Sequence, residues 1–442
     1  MAPLGESNGT AGSYFSGRTF RPDSSSKIMI KTAALALSFV VLSVTAFAQA
    51  SRVTVTTNVP PARIIVQPTP VSTPTPIVIQ QPTKTFPVTG TPSEPSQASN
   101  LNYKSLSYKD IKAKIAEAKR ELMTRPVQTA LVDPTIPATL VRIAYYDLKE
   151  KKIDFITITK DAFLTPAVQT TAVSSSGRAM TTMTIRANGV NTPVTILNDK
   201  GEPQLPLLVQ YPVERNGKYI EAAYYMSTHP GLVTPEVVSA GRLYVRNVID
   251  IARDNLKAKG YAIQPKVADI AEHLATVEHV DHTRFRTEPH ANIFNDIYTL
   301  FALNEGQTFR YSVSTAGAGG MVQMIPSTYR MVRDHYPNAG LMPDFVEGMR
   351  NHVNASEAML LYMQMTWNDL VASPTVSGAF ASGQATQEQL MAAGYNSNPA
   401  KIAGYINRAG SNWTALIPQE TKMYLQIYSA LEGDVRIPPR DK

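Results

Sequence analysis

The sequence predicts an α+β multidomain protein, in which a β-rich α+β accessory domain precedes a mainly helical C-terminal domain. Between residues 153 and 226, apolar and polar residues alternate and two Asn-Gly pairs interrupt the runs, which is typical of β-hairpins. After residue 291, apolar residues recur at helical spacing. Residues 49–100 are rich in Pro and Thr and have too few apolar residues for a folded core, so they indicate a spacer.

Composition excludes several classes of site. The 442-residue chain contains no cysteine, which excludes disulfide scaffolds, cysteine-ligated zinc and thiol nucleophiles. Its formal net charge of +7 suits anionic partners such as a cell-wall polymer, a membrane surface or nucleic acid, and does not choose among them. Basic residues do not form long runs, so nucleic acid is not predicted as a partner.

The N-terminal segments predict export. Residues 1–28 form a polar extension, and residues 29–48 have the basic, apolar and small-residue regions of a signal peptide, ending at Ala46-Phe47-Ala48. We therefore expect a periplasmic or otherwise extracytoplasmic location. Membrane attachment is the alternative if the segment is not cleaved. Residues 49–100 then form a Pro/Thr-rich disordered linker.

Residues 101–265 are predicted to form the accessory domain. A capping box at Ser107 opens a helix that Pro126 stops. A strand is expected at residues 153–159, and hairpin turns are expected at Asn188-Gly189 and Asn216-Gly217. Thr234 caps a further helix that ends at Gly260. These residues suggest no chemistry, so we interpret the domain as a structural or wall-binding module.

Residues 266–435 are predicted to form the functional domain. An apolar helix over residues 291–305 ends at Glu305, and a polar Gly-rich stretch follows up to Pro326. A carboxylate on a rigid helix end is a common way to present a general acid, and an apolar wall would keep it protonated near neutral pH. An ordinary surface glutamate at a helix end is the alternative interpretation.

Two other patterns suggest ligands only weakly. His279 and His282 have the spacing of a metal pair but lack a third ligand at a recognised spacing, so we interpret them as solvated or capping residues. The Gly-rich run at residues 315–320 is not followed by the Gly-Lys-Ser/Thr of a phosphate-binding loop, and close approach to a saccharide fits it better. No metal and no cofactor are predicted.

The C-terminal region resembles the soluble lytic transglycosylase domain family, which is related to goose-type lysozyme. Three motifs match in order over roughly the last 170 residues, the size of one domain. The first comprises Glu305, Phe309, Ser314, Gly317, Ala318, Gly320, Gln323 and Pro326. The second is the segment from Ala393 to Pro399, and the third runs from Pro418 to Tyr424.

The resemblance implies a lysozyme-like fold and a set of site residues. Glu305 would be the catalytic general acid and then the base. The substrate-binding residues would be Ser314, Gln323, Tyr395, Asn396 and Glu420. The implied reaction cleaves the β-1,4 bond between N-acetylmuramic acid and N-acetylglucosamine and forms a 1,6-anhydro ring. The implied partners are peptidoglycan glycan strands, with cell-envelope proteins as further candidates.

Two alternatives stay open. A lysozyme-type hydrolase of the same fold would use water instead of the muramoyl 6-hydroxyl, and a non-catalytic protein would only bind or organise peptidoglycan. No Asp or Glu occurs from Gly306 to Arg333, and a reaction with an intramolecular nucleophile needs only one acid/base. A second carboxylate could come from elsewhere, such as Glu347 or Glu357.

Overall fold

The computed structural model describes residues 106–441, and these adopt a mixed α+β structure. This range contains thirteen α-helices and one curled antiparallel sheet of seven strands. The predicted extension, signal peptide and linker at residues 1–28, 29–48 and 49–100 lie outside the described residues. Among residues 106–441, no helix has the length and apolar character needed to cross a membrane.

Helix α1 (Tyr108–Met123) begins at the predicted capping box. The Ser107 side chain accepts a hydrogen bond from the backbone N–H of Asp110, which satisfies one of the free donors at the helix start. The buried face packs against the sheet and consists of Ile111, Ile115, Ala118 and Leu122. The predicted helix and its apolar spacing are therefore confirmed.

The sheet is built around one long strand. Its strands are β1 (Leu140–Asp147), β2 (Lys152–Thr159), β3 (Gln169–Val173), β4 (Ala179–Thr184), β5 (Val194–Asn198), β6 (Pro203–Arg215) and β7 (Lys218–Tyr225). The order is β2-β1-β6-β5-β4-β3, and β7 also pairs with β6. A short helix, α2 (Lys160–Phe163), follows β2. Because β6 pairs with three neighbours along its length, the sheet curls around it.

The two Asn-Gly turns have different outcomes. Asn216 and Gly217 have φ values of 52° and 69° and join β6 to β7 in the predicted two-residue turn. The tight turn predicted at Asn188-Gly189 is wrong, although β4 and β5 do pair as antiparallel neighbours. The connection is longer because the Thr192 hydroxyl accepts from the Asn188 backbone N–H and donates to the Gly189 carbonyl, which closes a wider loop.

The sheet buries both of its faces. Successive residues of a strand point to opposite sides, so Ile143 and Tyr145 of β1 pack into a small core inside the curled sheet. Ala144 and Tyr146 point the other way and join the larger core shared with the helices. The sheet is therefore packed against the helical part of the chain through one face.

The rest of the described chain is helical. The helices are α3 (Pro235–Ala258), α4 (Pro265–Val277), α5 (His282–Thr287), α6 (His290–Asn304), α7 (Pro326–His335), α8 (Phe345–Arg350), α9 (His352–Ala372), α10 (Pro374–Ala381), α11 (Gln387–Asn396), α12 (Ile402–Ala409) and α13 (Gln419–Asp434). Helix α9 is buried on most of its faces, and α3, α4, α8, α10 and α11 pack around it. The helices predicted at residues 234–260 and 291–305 are confirmed, and α9 and α11 agree with the helical spacing expected after residue 291.

Helix α3 also packs closely against α6, across the predicted domain boundary between residues 265 and 266. One hydrophobic core contains residues from the sheet, from α3 and from the helices after residue 265. The boundary itself stays a prediction. The shared core means that the sheet and α3 hold the helices that carry the C-terminal motifs.

We expect Gly241→Ala to destabilise the protein by about 1–3 kcal/mol, because a side chain would be forced into a filled contact. A Cβ at Gly241 would lie 1.8 Å from the Tyr298 carbonyl oxygen, where α3 crosses α6. Gly433→Ala in α13 is the matched control, since a Cβ there meets nothing within 4 Å. Urea unfolding of both variants measures the difference, and equal stabilities would contradict the close crossing.

Candidate active site

A buried carboxyl lies at the end of helix α4, on Glu278. The Tyr424 hydroxyl of α13 donates a hydrogen bond of 2.6 Å to its Oε1. Glu278 is partly exposed as a residue, and burial of its carboxyl raises its pKa to about 8. The hydrogen bond from Tyr424 opposes that rise in pKa, and the nearby charge of Glu420 adds to it. Glu278 therefore holds its proton at neutral pH.

The sequence around Glu278 explains its rigid position. Pro265 occupies the first turn of α4, where the missing N–H costs nothing. Every residue from Val267 to Val277 is buried, and α4 packs against α3, α9, α11 and α13. A carboxyl at the end of so fully enclosed a helix has little freedom to move.

The Gly-rich loop at residues 312–324 is fixed beside Glu278 by two contacts. The next residue along the chain, His279, hydrogen-bonds the Met321 carbonyl through Nε2 at 2.9 Å. The Tyr395 hydroxyl of α11 donates to the Val322 carbonyl at 2.7 Å. Gly320 has a φ of 67°, and a Cβ there would lie 2.3 Å from the Met349 carbonyl oxygen, so only glycine fits.

Ser314 and Gln323, both predicted to contact substrate, lie within this loop and are partly buried. Gln323 has a φ of 46°, and its Nε2 donates to the Gly320 carbonyl at 2.8 Å and to the Ser312 hydroxyl at 3.2 Å. The Ser314 hydroxyl accepts from the Ala318 backbone N–H at 3.0 Å. The loop thus holds both side chains in defined positions.

The other predicted substrate-binding residues come from α11 and α13. Burial raises the pKa of Tyr395 well above its usual value, and the negative charge of Glu278 adds to this shift, so the two groups interact electrostatically. Asn396 ends α11 and is partly buried. Glu420 is exposed in the first turn of α13, where its charge acts on Glu278. Tyr395 and Glu420 are therefore brought to Glu278.

Glu305 lies in a different environment. It caps α6 with a φ of 47°, and its carboxylate forms an ion pair with Lys112 of α1. Its side chain is 49% exposed. Within residues 106–441, no hydrogen bond or ion pair connects Glu305 with Ser314, Gln323, Tyr395, Asn396 or Glu420. The backbone turn after α6 directs Glu305 towards α1, whereas Tyr395 and Glu420 interact electrostatically with Glu278.

The two histidines considered above as a metal pair, His279 and His282, have structural positions. His279 is buried, and its ring stacks on that of Phe309 with 3.4 Å between the ring centroids. The expectation of a solvated or capping residue is therefore wrong for His279. Burial lowers the pKa of His279 to about 3. His282 begins α5 and is partly buried. In the part of the chain that the structure describes, no group of His, Asp and Glu side chains is arranged to hold a metal ion.

Sequence reasoning missed Glu278 and Tyr424 as site residues. The signal for Glu278 was an apolar run over residues 267–277 that ends in a glutamate, the same pattern that drew attention to Glu305. Tyr424 was part of the third motif but had no assigned role. Comparison of the chain with protein-family models, with curated proteins and with solved structures found no match.

Proposed function

We propose that this protein is a peptidoglycan lytic transglycosylase in which Glu278 is the single general acid/base. The observation that carries the proposal is the buried Glu278 carboxyl beside the Gly-rich loop. The Tyr424 hydroxyl donates a hydrogen bond to this carboxyl, and Tyr395 interacts with it electrostatically. A carboxyl that keeps its proton at neutral pH is what protonation of a glycosidic oxygen requires.

The reaction needs one proton donor and one internal nucleophile. The Glu278 carboxyl donates its proton to the oxygen of the β-1,4 bond between N-acetylmuramic acid and N-acetylglucosamine as the bond from C1 to that oxygen breaks. The resulting carboxylate then takes the proton from the muramoyl 6-hydroxyl while O6 bonds to C1. The glutamate returns to its starting state and the product carries a 1,6-anhydro ring.

The surrounding residues support substrate binding. Gln323 and Ser314 lie on a loop whose backbone is anchored at Met321 and Val322, so their polar groups can meet a sugar without reorganising. Glu420 is exposed at the edge of the site and is available to a saccharide hydroxyl. A single acid/base is sufficient for this reaction, with Glu278 rather than Glu305 in the role.

We also infer that the chain is divided into two domains with separate roles. The helices after residue 265 would form the lysozyme-like domain, and the strand-rich part before it would form a structural or wall-binding module. The protein would be exported by its N-terminal signal and act outside the cytoplasm on peptidoglycan glycan strands. Other cell-envelope proteins would be its further partners.

Digestion of purified peptidoglycan sacculi by the full chain tests the proposal. Soluble products ending in 1,6-anhydromuramic acid, identified by mass spectrometry, are the expected result. Products with reducing muramic acid ends would show a hydrolase instead. Binding to sacculi without release of soluble fragments would show a non-catalytic peptidoglycan-binding protein.

We expect activity to fall as the pH rises through about 8, because Glu278 must be protonated to act as the acid. Tyr424→Phe removes the hydrogen bond that lowers the pKa of Glu278, so this fall should move to higher pH. Tyr428→Phe, the same change on the same helix, is the control. The pH profile of product release measures both, and identical profiles for the two variants would contradict the assignment.

A further inference from the structure

A small cavity lies between the sheet and the helices, and its lining includes His279, the residue that follows Glu278. Its volume is about 80 Å³. One wall consists of the connection between β4 and β5, with Arg186, Asn188 and Asn191. The opposite wall contains Asp281 at the start of α5, Arg284 of α5 and Asp296 of α6. We refer to the space that these six residues line as the interface cavity.

The sheet side of the interface cavity offers hydrogen-bond donors that have no partners. Arg186 is partly buried, and within residues 106–441 its guanidinium makes no hydrogen bond and no ion pair. Burial lowers the pKa of Arg186, which reflects the cost of holding its charge away from water. The Asn188 side chain likewise makes no hydrogen bond within that range. A buried charge of this kind is stabilised when a counter-charge reaches it.

The helical wall of the interface cavity offers hydrogen-bond acceptors. Asp281 Oδ1 accepts from the backbone N–H groups of Thr283 and Arg284, at 2.8 and 3.0 Å, and Oδ2 has no hydrogen bond among the described residues. Asp296 Oδ2 accepts from Arg284 at 2.8 Å, and its Oδ1 has none within the same range. One carboxylate oxygen of each aspartate is therefore available to a donor.

His279 adds a third acceptor to the lining of the cavity. The residue is 7% exposed, and its Nε2 is engaged with a carbonyl, so Nε2 carries the ring hydrogen and Nδ1 is an acceptor. Nδ1 is buried and has no hydrogen-bond partner in the described structure. A buried polar atom without a partner costs free energy, which a ligand with an N–H group would recover.

We propose that the interface cavity binds the zwitterionic head group of an amino acid, with its carboxylate at Arg186 and its ammonium at Asp281 and Asp296. Arg186 forms no ion pair with either aspartate, so the space between the two walls separates unlike charges. A simple anion would face the two carboxylates of Asp281 and Asp296, and a simple cation would face the guanidinium groups of Arg186 and Arg284. A group that carries both charges on one carbon satisfies both walls.

The size of the cavity agrees with a small head group. Pockets for larger organic ligands measure roughly 300–1,000 Å³, well above the volume here. The floor is apolar, formed by Ile293, Ile297 and Leu300 of α6, and suits the aliphatic part of a small amino acid. The inference does not depend on the proposed enzymatic activity, since none of its charged residues contacts Glu278.

Calorimetric titration of the full chain with glycine tests the inference. We expect saturable binding, weakened about tenfold or more by Arg186→Gln, because a charge-assisted hydrogen bond is lost. Arg215→Gln, a change of an exposed arginine on β6 outside the cavity, is the matched control and should bind glycine as the unmodified chain does. Asn188→Ala removes an uncharged donor and should weaken binding less than Arg186→Gln.

The comparison ligands are acetate, methylammonium and glycylglycine. Acetate and methylammonium each carry one of the two charges and should bind more weakly than glycine. Glycylglycine separates the charges along a peptide and should also bind more weakly if the head group of a free amino acid is the ligand. Circular dichroism confirms that the variants are folded. Absence of saturable glycine binding, or equal binding by folded Arg186→Gln, would overturn the inference.

Discussion

Glu278→Gln should lower the rate of product release from peptidoglycan by about 10²–10⁴-fold, the usual contribution of a general acid. Glutamine has nearly the same shape and can still accept the hydrogen bond that Tyr424 donates to Oε1. It has no acidic proton to give to the glycosidic oxygen. The fold should therefore survive while the chemistry is lost, and sacculus digestion at equal protein concentration measures the loss.

Glu305→Gln is the matched control for that prediction. Its carboxylate is half exposed and paired with Lys112, so its loss should leave the rate of release within a few-fold of the unmodified chain. A surface ion pair of this kind contributes only about 0–1 kcal/mol to stability. If Glu305→Gln abolished release and Glu278→Gln did not, the glutamate predicted from motif spacing would be correct and the site around Glu278 would be wrong.

Local structure was predictable because it depends on residues close together in the chain. The Ser107 cap, the Asn216-Gly217 turn and the Thr234 cap each satisfy backbone groups within a few positions. Apolar spacing located α6 and α9 for the same reason. Asn188-Gly189 failed as a tight turn because the Thr192 side chain, several positions later, competes for the same backbone groups.

The choice of Glu278 over Glu305 as the proposed acid depends on contacts that spacing in the sequence does not record. Along the sequence, helices α5 and α6 separate Glu278 from the Gly-rich loop. Glu305 is closer to Ser314 in sequence and therefore matched the spacing of the motif. The contacts that single out Glu278 are long-range: Tyr424 and Tyr395 reach the same place from helices much later in the chain. A sequence pattern contains no direct record of such contacts.

The C-terminal segment after α13 is held by a buried cluster of charges. Arg440 is 8% exposed and lies against α3 and α4. Its Nη1 is 2.9 Å from Asp269 Oδ1 and 2.8 Å from Glu272 Oε2, and its Nε donates to Asp250 at 2.6 Å. Arg246 also approaches Glu272, at 3.3 Å. Since α4 ends at Glu278, this cluster braces the helix that carries the proposed acid.

Arg440→Met should lower the free energy of unfolding at pH 8 by about 3–5 kcal/mol, the usual cost of leaving one partner of a buried ion pair unpaired. Methionine keeps much of the aliphatic stem, so the loss reflects mainly the missing charge. Arg436→Met is the control, because Arg436 is exposed in the same segment. Urea unfolding of both variants measures the effect.

The loss caused by Arg440→Met should also depend on pH. Burial raises the pKa of Glu272 to about 7 from its usual 4.5, while Arg440 and then Arg246 oppose that rise. The folded protein therefore binds this proton more tightly than the unfolded chain, and stability from this group increases as the pH falls from 7 towards 4.5.

Removal of Arg440 raises the pKa of Glu272 further. The destabilisation should therefore be largest at pH 8 and smaller at pH 5, where a protonated Glu272 needs no cation. An equal loss at both pH values would mean that Arg440 acts through packing alone.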